Sequence, residues 1–527
     1  MLLQYLEMFV RKEWWHIEKP VTESPHGVVV SQHYRASLAG ASILEAGGNA
    51  VDAAIATAFA VGVVEPWMSG LGGGGLMVTL GAEESDAQAI NFGMRASRNL
   101  DPANYPLGGG VGGDLFSWPA VVDDRNVHGP LSIAVPGQVA GMALAHKKWG
   151  ELSWAELLAP AIELAREGME VDWQGTVRIA AAAGVLSRYA DSAKRFLPDD
   201  RVPAGQWGGP PPRIYNPELV ATLEQLAIAG GDDFYNGEIA QSIVADAASA
   251  GIPLDHKDLA DYRVTDSPAL KSNYRGHRVF ATQGLTGGPS LDEVLAALAA
   301  HTQADDHATP TSGFYIALCE ALRNVFEKRF ESMGHDADPS CTSHISVADR
   351  HGRVVALTQT LLSVFGSKVT LPGTGMLMNN GIMWFDPRPG RPNSLAPGQS
   401  PLANMCPAVI DSPDGRRVAM GGSGGRRIIG AVAQVVSWLT DFGMELDSAM
   451  VQPRIDVSGL ETVLVDECLP QEVFDALRER YDARMAQSMV YPNLFACPNC
   501  ASFSPTQGAR GMPFIYSPVA AAVGASR

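Results

Sequence analysis

The sequence predicts a mixed protein of strands and helices, and three segments carry that prediction. Thr342 to Ala348 and Val354 to Thr360 each alternate in polarity around the turn-forming Asp349-Arg350-His351-Gly352-Arg353, which is the pattern of a β-hairpin. Strand-like Arg417-Val418-Ala419-Met420 runs into Gly421-Gly422-Ser423-Gly424-Gly425-Arg426-Arg427, after which Ile428, Ile429, Val432, Val435, Val436 and Leu439 recur at near-helical spacing. Phe314, Leu318, Leu322, Val325 and Phe326 mark an amphipathic helix ending near Met333. Strands and helices also alternate up to about Ile179, and Ala53 to Val64 reads as a buried helix. The Pro/Gly-rich run from Val202 to Pro217 reads as a surface excursion.

The hairpin holds the chemistry. With five residues in the loop, Ala348 faces Val354, Ser346 faces Ala356, His344 faces Thr358 and Thr342 faces Thr360. Side chains alternate between the two faces of a strand, so Thr342, His344, Ser346, Thr358 and Thr360 share one face. Such a polar face fits a half-exposed edge hairpin whose hydroxyls meet water. It also fits a site, because Cys341, Thr342 and Ser343 are three adjacent potential nucleophiles.

The glycine-rich turn supplies a complement. Glycine allows close backbone approach and a helix N-terminus presents unpaired N–H groups, an arrangement suited to an oxyanion. It lacks the Lys-Ser/Thr ending of a phosphate loop, and glycines at a strand-to-helix turn also serve packing alone.

Further motifs stand in a fixed order along the chain. They begin with Gly27-Val28-Val29-Val30-Ser31, Ala46-Gly47-Gly48-Asn49-Ala50-Val51-Asp52, and Glu65-Pro66-Trp67-Met68-Ser69-Gly70 leading to Gly72-Gly73-Gly74-Gly75. Asn216-Pro217-Glu218-Leu219, Phe234-Tyr235-Asn236-Gly237 and Asp258-Leu259-Ala260-Asp261-Tyr262 occupy the middle, and Asn379-Asn380-Gly381, Pro401-Leu402 and Gln452-Pro453-Arg454 follow. With the Thr342 and Gly424-Gly425 segments, this ordered set resembles the γ-glutamyltransferase family of N-terminal-nucleophile (Ntn) hydrolases over most of the chain.

The resemblance implies an α+β fold, a four-layer αββα sandwich, made as one precursor that cuts itself between Cys341 and Thr342. Residues 1–341 would form a large chain and 342–527 a small chain, associated in one interwoven body whose further self-association stays open. It implies Thr342 as nucleophile, Thr360 as its hydrogen-bonding neighbour and the Gly424 and Gly425 N–H groups as oxyanion hole. The chemistry calls for no metal and no cofactor. A threonine hydroxyl is a weak nucleophile, and the α-amino group freed on the same residue, with a reference pKa near ~8, serves as its base.

Departures from the family pattern fall on the substrate side. Where typical members hold an α-ammonium group with Asn, Gln and Asp, this chain has Leu362, Gly381 and Trp384, none of which offers a side-chain acceptor. The Ser pair that helps bind an α-carboxylate reads Ala403-Asn404, and its partner arginine is replaced by Gly93, with Arg95 two positions on. Arg95 and Arg426 are candidates for an anionic acyl group, since a guanidinium fits a carboxylate bidentately, and Trp384 is a candidate to shorten the pocket and stack on an acyl chain. The expected substrate is thus a small-molecule amide, γ-glutamyl-like or another N-acyl amide, as in the cephalosporin-acylase-like branch. An unprocessed binding relative is the alternative of another class.

Composition adds limits. The chain has 527 residues, 46% hydrophobic and 18% charged, enough for a large core, and its formal charge of −18 disfavours nucleic acid and anionic membranes as partners. Glu7 interrupts the apolar run at the N-terminus and no basic segment precedes it, so the expectation is a cytoplasmic protein without a secretory signal. Cys497-Pro498-Asn499-Cys500 has CxxC spacing, which suits redox or zinc chemistry as well as a reduced structural pair. Gly334 to Ser340 reads as a polar linker before the expected cut.

Overall fold

A computed structural model describes residues 17–111, 118–301, 309–333, 341–491 and 493–527. The expected linker and the N-terminal run to Glu13 lie outside the described residues.

Two seven-stranded antiparallel sheets stack face to face. The first runs in the order Ala521–Gly524, Gly27–Ser31, Cys341–Asp349, Val354–Leu362, Gly74–Leu80, Gln88–Phe92 and Thr265–Pro268. The second runs Thr22–Ser24, Gly508–Met512, Cys497–Ser504, Arg417–Ser423, Ala408–Asp411, His277–Ala281 and Leu270–Tyr274. Segments from before and after residue 341 interleave in both sheets. Neither half could close a sheet alone.

Side-chain alternation builds the four layers. In the hairpin, Ile345, Val347, Val355 and Leu357 enter a core shared with the helices Tyr34–Glu45 and Ala50–Val64. Their neighbours Ala348, Val354 and Ala356 face the other way, onto Val409, Ala419, Ala501 and Ala509 of the second sheet. Small residues dominate that inner layer because facing sheets stand only about 10 Å apart. The outer face of the second sheet packs Val418, Met420 and Ile410 against the helices Gly288–Ala300, Ser312–Met333 and Arg427–Thr440. The result is the αββα sandwich.

The hairpin is central and not at an edge. Both of its strands are buried on both faces, so its polar side chains meet the second sheet and not water. Ala348 pairs with Val354, Ser346 with Ala356 and His344 with Thr358, as the five-residue loop requires. The expected Thr342–Thr360 register is corrected: the ladder shifts beyond Ser343, and Cys341 pairs with Leu362. The cause is local, since Leu362 takes φ 87° and donates its N–H to Thr360 Oγ1 at 2.7 Å, which ends the regular strand.

The early motif Asn49-Ala50-Val51-Asp52 is a helix start. Asn49 Oδ1 accepts the N–H groups of Val51 and Asp52, and Asp52 accepts that of Asn49, a reciprocal cap on Ala50–Val64. Asp349 Oδ2 accepts the Ala50 N–H at 3.0 Å, tying this helix to the hairpin turn. The helix is buried almost throughout, and no helix among the described residues is long and apolar enough to cross a membrane.

Candidate active site

His344 anchors the space between the sheets. Its Nδ1 lies 2.8 Å from Thr358 Oγ1 and its Nε2 3.0 Å from Ser346 Oγ, while Asn499 Nδ2 donates to the His344 carbonyl at 2.8 Å. Complete burial pushes its pKa down to about 3, so the ring is neutral and one nitrogen accepts while the other donates. With both nitrogens committed, His344 has no free position for a proton from substrate.

The imidazole lies directly over Gly421 of the second sheet, where any side chain would strike the ring. Two residues back along one strand is Thr342, and two residues forward along the other is Ser423, followed by Gly424. Gly424 takes φ 131° and Gly425 φ 63°, conformations that favour glycine, and Arg427–Thr440 begins two residues later.

Two of the three potential nucleophiles, Thr342 and Ser343, separate on this frame. Alternation puts Thr342 on the His344 face, which looks toward the second sheet, and it is 1% exposed. Ser343 lies on the opposite face, where Ser69 Oγ is 3.4 Å from its hydroxyl and Gln359 donates to Ser69 at 3.0 Å. A serine turned toward the helix layer cannot use the Gly424-Gly425 turn. Strand neighbours flank residues Ser346–Asp349 on both sides, and the pairing with Gly27–Ser31 does not extend to Thr342.

The substrate-side positions converge. Leu362, Trp384 and Ala403 join Met94, Ala96, Ile382 and Met405 in one apolar cluster. Asn379 and Asn380 are its scaffold: Asn379 Nδ2 donates to Gly72 O and Ala134 O, and Asn380 Nδ2 donates to Val127 O and Ser363 Oγ. These bonds fix the short turn Gly381–Trp384, which carries the indole into the cluster. Trp384 Nε1 is buried with no hydrogen-bond partner among the described residues.

The two arginine candidates part ways. Arg426, 4% exposed, directly follows Gly425 and is buried beside the glycine turn. Arg95 does not join the cluster: Met94 and Ala96 point into it, and by alternation Arg95 points out, its guanidinium 5.6 Å above the Tyr262 ring. Sequence reasoning missed Arg329. It is 2% exposed and donates to Ala403 O at 2.8 Å and Asn404 Oδ1 at 3.1 Å. The signal was present, because Leu318, Leu322, Val325 and Arg329 fall on one helical stripe and a charge on an apolar stripe needs a reason.

Cys497 and Cys500 are both buried and free. Cys500 enters the core on the helix side of its strand, whereas Asn499, on the other face, reaches His344. Three residues apart on a strand means opposite faces, so the spacing that suggests a redox or zinc pair in a turn holds none here. Burial raises both thiol pKa values.

Comparison with known proteins places this geometry. The Gamma-glutamyltranspeptidase family profile matches residues 36–341 and 331–493. The chain is 30% identical over 501 residues to the acylase ACY 1 proenzyme of Pseudomonas sp. (strain SE83), covering 88% of each. It is 28% identical over 518 residues to the glutathione hydrolase proenzyme of Bacillus subtilis (strain 168), covering 87% of this chain and 85% of that one. The crystal structure of cephalosporin acylase from Bacillus halodurans superposes with a TM-score of 0.83 at 25% identity, covering 98% of this chain and 99% of that one. The fold and site define an Ntn-type enzyme of amide-bond hydrolysis or acyl transfer. The chain belongs to the gamma-glutamyltranspeptidase family.

Proposed function

We propose that the protein is made as a proenzyme, cuts itself between Cys341 and Thr342, and then cleaves amides of small acyl groups through an acyl-Thr342 intermediate. The observation that carries this reading is the placement of Thr342 on the face toward the second sheet, whose strand Arg417–Ser423 runs into the Gly424-Gly425 turn, with Ser343 on the opposite face. The names of the relatives, both proenzymes, support the self-processing step.

Cleavage frees the Thr342 α-amino group, whose reference pKa near ~8 leaves it partly unprotonated at neutral pH. It takes the hydroxyl proton as Oγ1 attacks the amide carbonyl, and the Gly424 and Gly425 N–H groups hold the oxyanion. The C–N bond then breaks, the amine passes its proton to the leaving nitrogen, and water or an acceptor amine takes the acyl group from Thr342. Thr360 Oγ1 accepts the Leu362 N–H, and the family resemblance assigns this hydroxyl to steady Thr342 despite the shifted register. The apolar cluster of Leu362, Trp384 and Ala403 favours acyl groups without an α-ammonium group, because it offers that cation no side-chain acceptor.

Denaturing electrophoresis with N-terminal sequencing tests the reading. The purified protein should give two fragments, one starting at Thr342, and Thr342→Ala should stay a single inactive chain. Persistence of full-length wild-type chain would refute it and favour a binding protein. On the processed enzyme, glutaryl amides should be preferred over γ-glutamyl amides.

A further inference from the structure

We propose that Arg329 is a positioning residue: it fixes the carboxamide of Asn404 so that the Nδ2 group, a pure donor, faces the acyl site. This rests on the reading of Thr342 as nucleophile.

Arg329 sits one turn from the end of Ser312–Met333, on the stripe that this helix buries. Its Nη1 donates to Thr286 O at 2.9 Å and Ser290 Oγ at 3.1 Å, at the start of Gly288–Ala300. Its Nη2 donates to Ala403 O at 2.8 Å and Asn404 Oδ1 at 3.1 Å. One rigid fork therefore joins three segments.

A guanidinium only donates, so the Asn404 atom facing it must be the oxygen. The two Nδ2 hydrogens are thereby turned the other way. Ala403, the preceding residue, packs in the cluster with Leu362 and Trp384, and the charge of Arg426, next to Gly425, is close enough to be felt at Arg329. Asn404 thus stands between Ala403 and Met405, two residues of the acyl cluster, with its oxygen held by Arg329. A carboxamide that could present either end presents only a donor, and the substrate group that meets it must accept: a carbonyl or carboxylate oxygen. The fork also crosses the expected cut, since Arg329 falls in 1–341 and Asn404 in 342–527. Lysine cannot replace it, because a single ammonium lacks the planar geometry that serves two carbonyls at once.

The test uses two p-nitroanilides of equal chain length, glutaryl with a terminal carboxylate and pentanoyl with a terminal methyl, on wild type, R329Q, R329K, N404A, N404D and R329Q/N404A. Wild type should prefer the glutaryl anilide and bind free glutarate more tightly than pentanoate. R329Q should raise KM for the glutaryl anilide by about 10-fold, with little change in kcat and little change for the pentanoyl anilide, matching the loss of one hydrogen bond to a charged group. R329K should not restore it, N404A should give the same loss, and the double variant should add nothing. N404D keeps the acceptor toward Arg329 and replaces the donors, so it should reverse the preference even where R329Q fails to fold.

Equal losses on both anilides for R329Q and N404A, or an N404D enzyme that keeps its glutaryl preference, would overturn the proposal. So would a processed wild type that binds glutarate no better than pentanoate. A wild type that stays uncut refutes the Thr342 reading instead, so the two failures are distinguishable.

Discussion

Gly421→Ala tests the packing that aligns the two halves of the site. A methyl group at this position would stand 2.6 Å from Nδ1 and 3.0 Å from Nε2 of His344, and nearer still to Cε1. Ordinary carbon contact needs ~3.5–4.0 Å, so the ring and the strand must separate by about 1 Å. The ring cannot swing aside, because Thr358 and Ser346 hold its two nitrogens and it is fully buried. Either those bonds break or the sheets part. Overpacking of this kind costs about 1–3 kcal/mol, and a buried hydrogen bond left unmade costs about 1–3 kcal/mol more. Because Thr342 and Gly424 lie just beyond this contact, a shift of about 1 Å should slow acyl transfer by about 100-fold.

The assay follows the fraction of cleaved chain against time by denaturing electrophoresis, then kcat on the processed protein and the thermal midpoint. Gly184→Ala is the control: Gly184 is exposed in the helix Trp173–Leu186, nothing lies within 4 Å of its added methyl, and it should be neutral or slightly stabilising. A G421A protein that cleaves itself, turns over and melts like wild type would refute the claim that close approach over His344 sets the site.

Two further outcomes follow from the same geometry. Gly424→Ala meets both a φ of 131° and the Ala496 backbone at 2.8 Å, so it should lower kcat by about 100- to 1000-fold through loss of an oxyanion donor, measured on any protein that still processes. His344, held down at about 3 against an ordinary 6.5, binds its proton more weakly in the folded than in the unfolded state. Stability should therefore fall as pH drops from about 6.5 toward 3, by ~1.4 kcal/mol per unit, and H344Q should remove that part of the slope in denaturant melts.

Much of the site was legible in the chain because it depends on local order. Alternation put Thr342, His344 and Ser346 on one face, and the strand-glycine-helix pattern placed Gly424 and Gly425 at a turn. What alternation could not say was where the hairpin stood in its sheet. An edge position and a central one give the same pairing, and only the neighbours Gly27–Ser31 and Gly74–Leu80 decide between them. The Thr342–Thr360 register failed for a different reason: a positive φ at Leu362 and a hydroxyl-to-backbone bond end the ladder, and neither is written in polarity. Arg95 was assigned by its nearness in sequence to an expected arginine. The strand turns it toward Tyr262 and sends Met94 inward.

By itself the sequence determined the mixed strand-and-helix class, the hairpin and the glycine turn, which follow from short-range period, and its ordered motifs carried the family resemblance that implies the four-layer fold and names Thr342. The tertiary structure decided which candidates meet. It buried the hairpin between the helix layer and the second sheet, turned Ser343 away, set Cys497 and Cys500 on opposite faces, and brought Arg329 from a distant helix to Asn404. Those outcomes depend on which faces pack together across hundreds of residues, and local polarity carries no record of the partner.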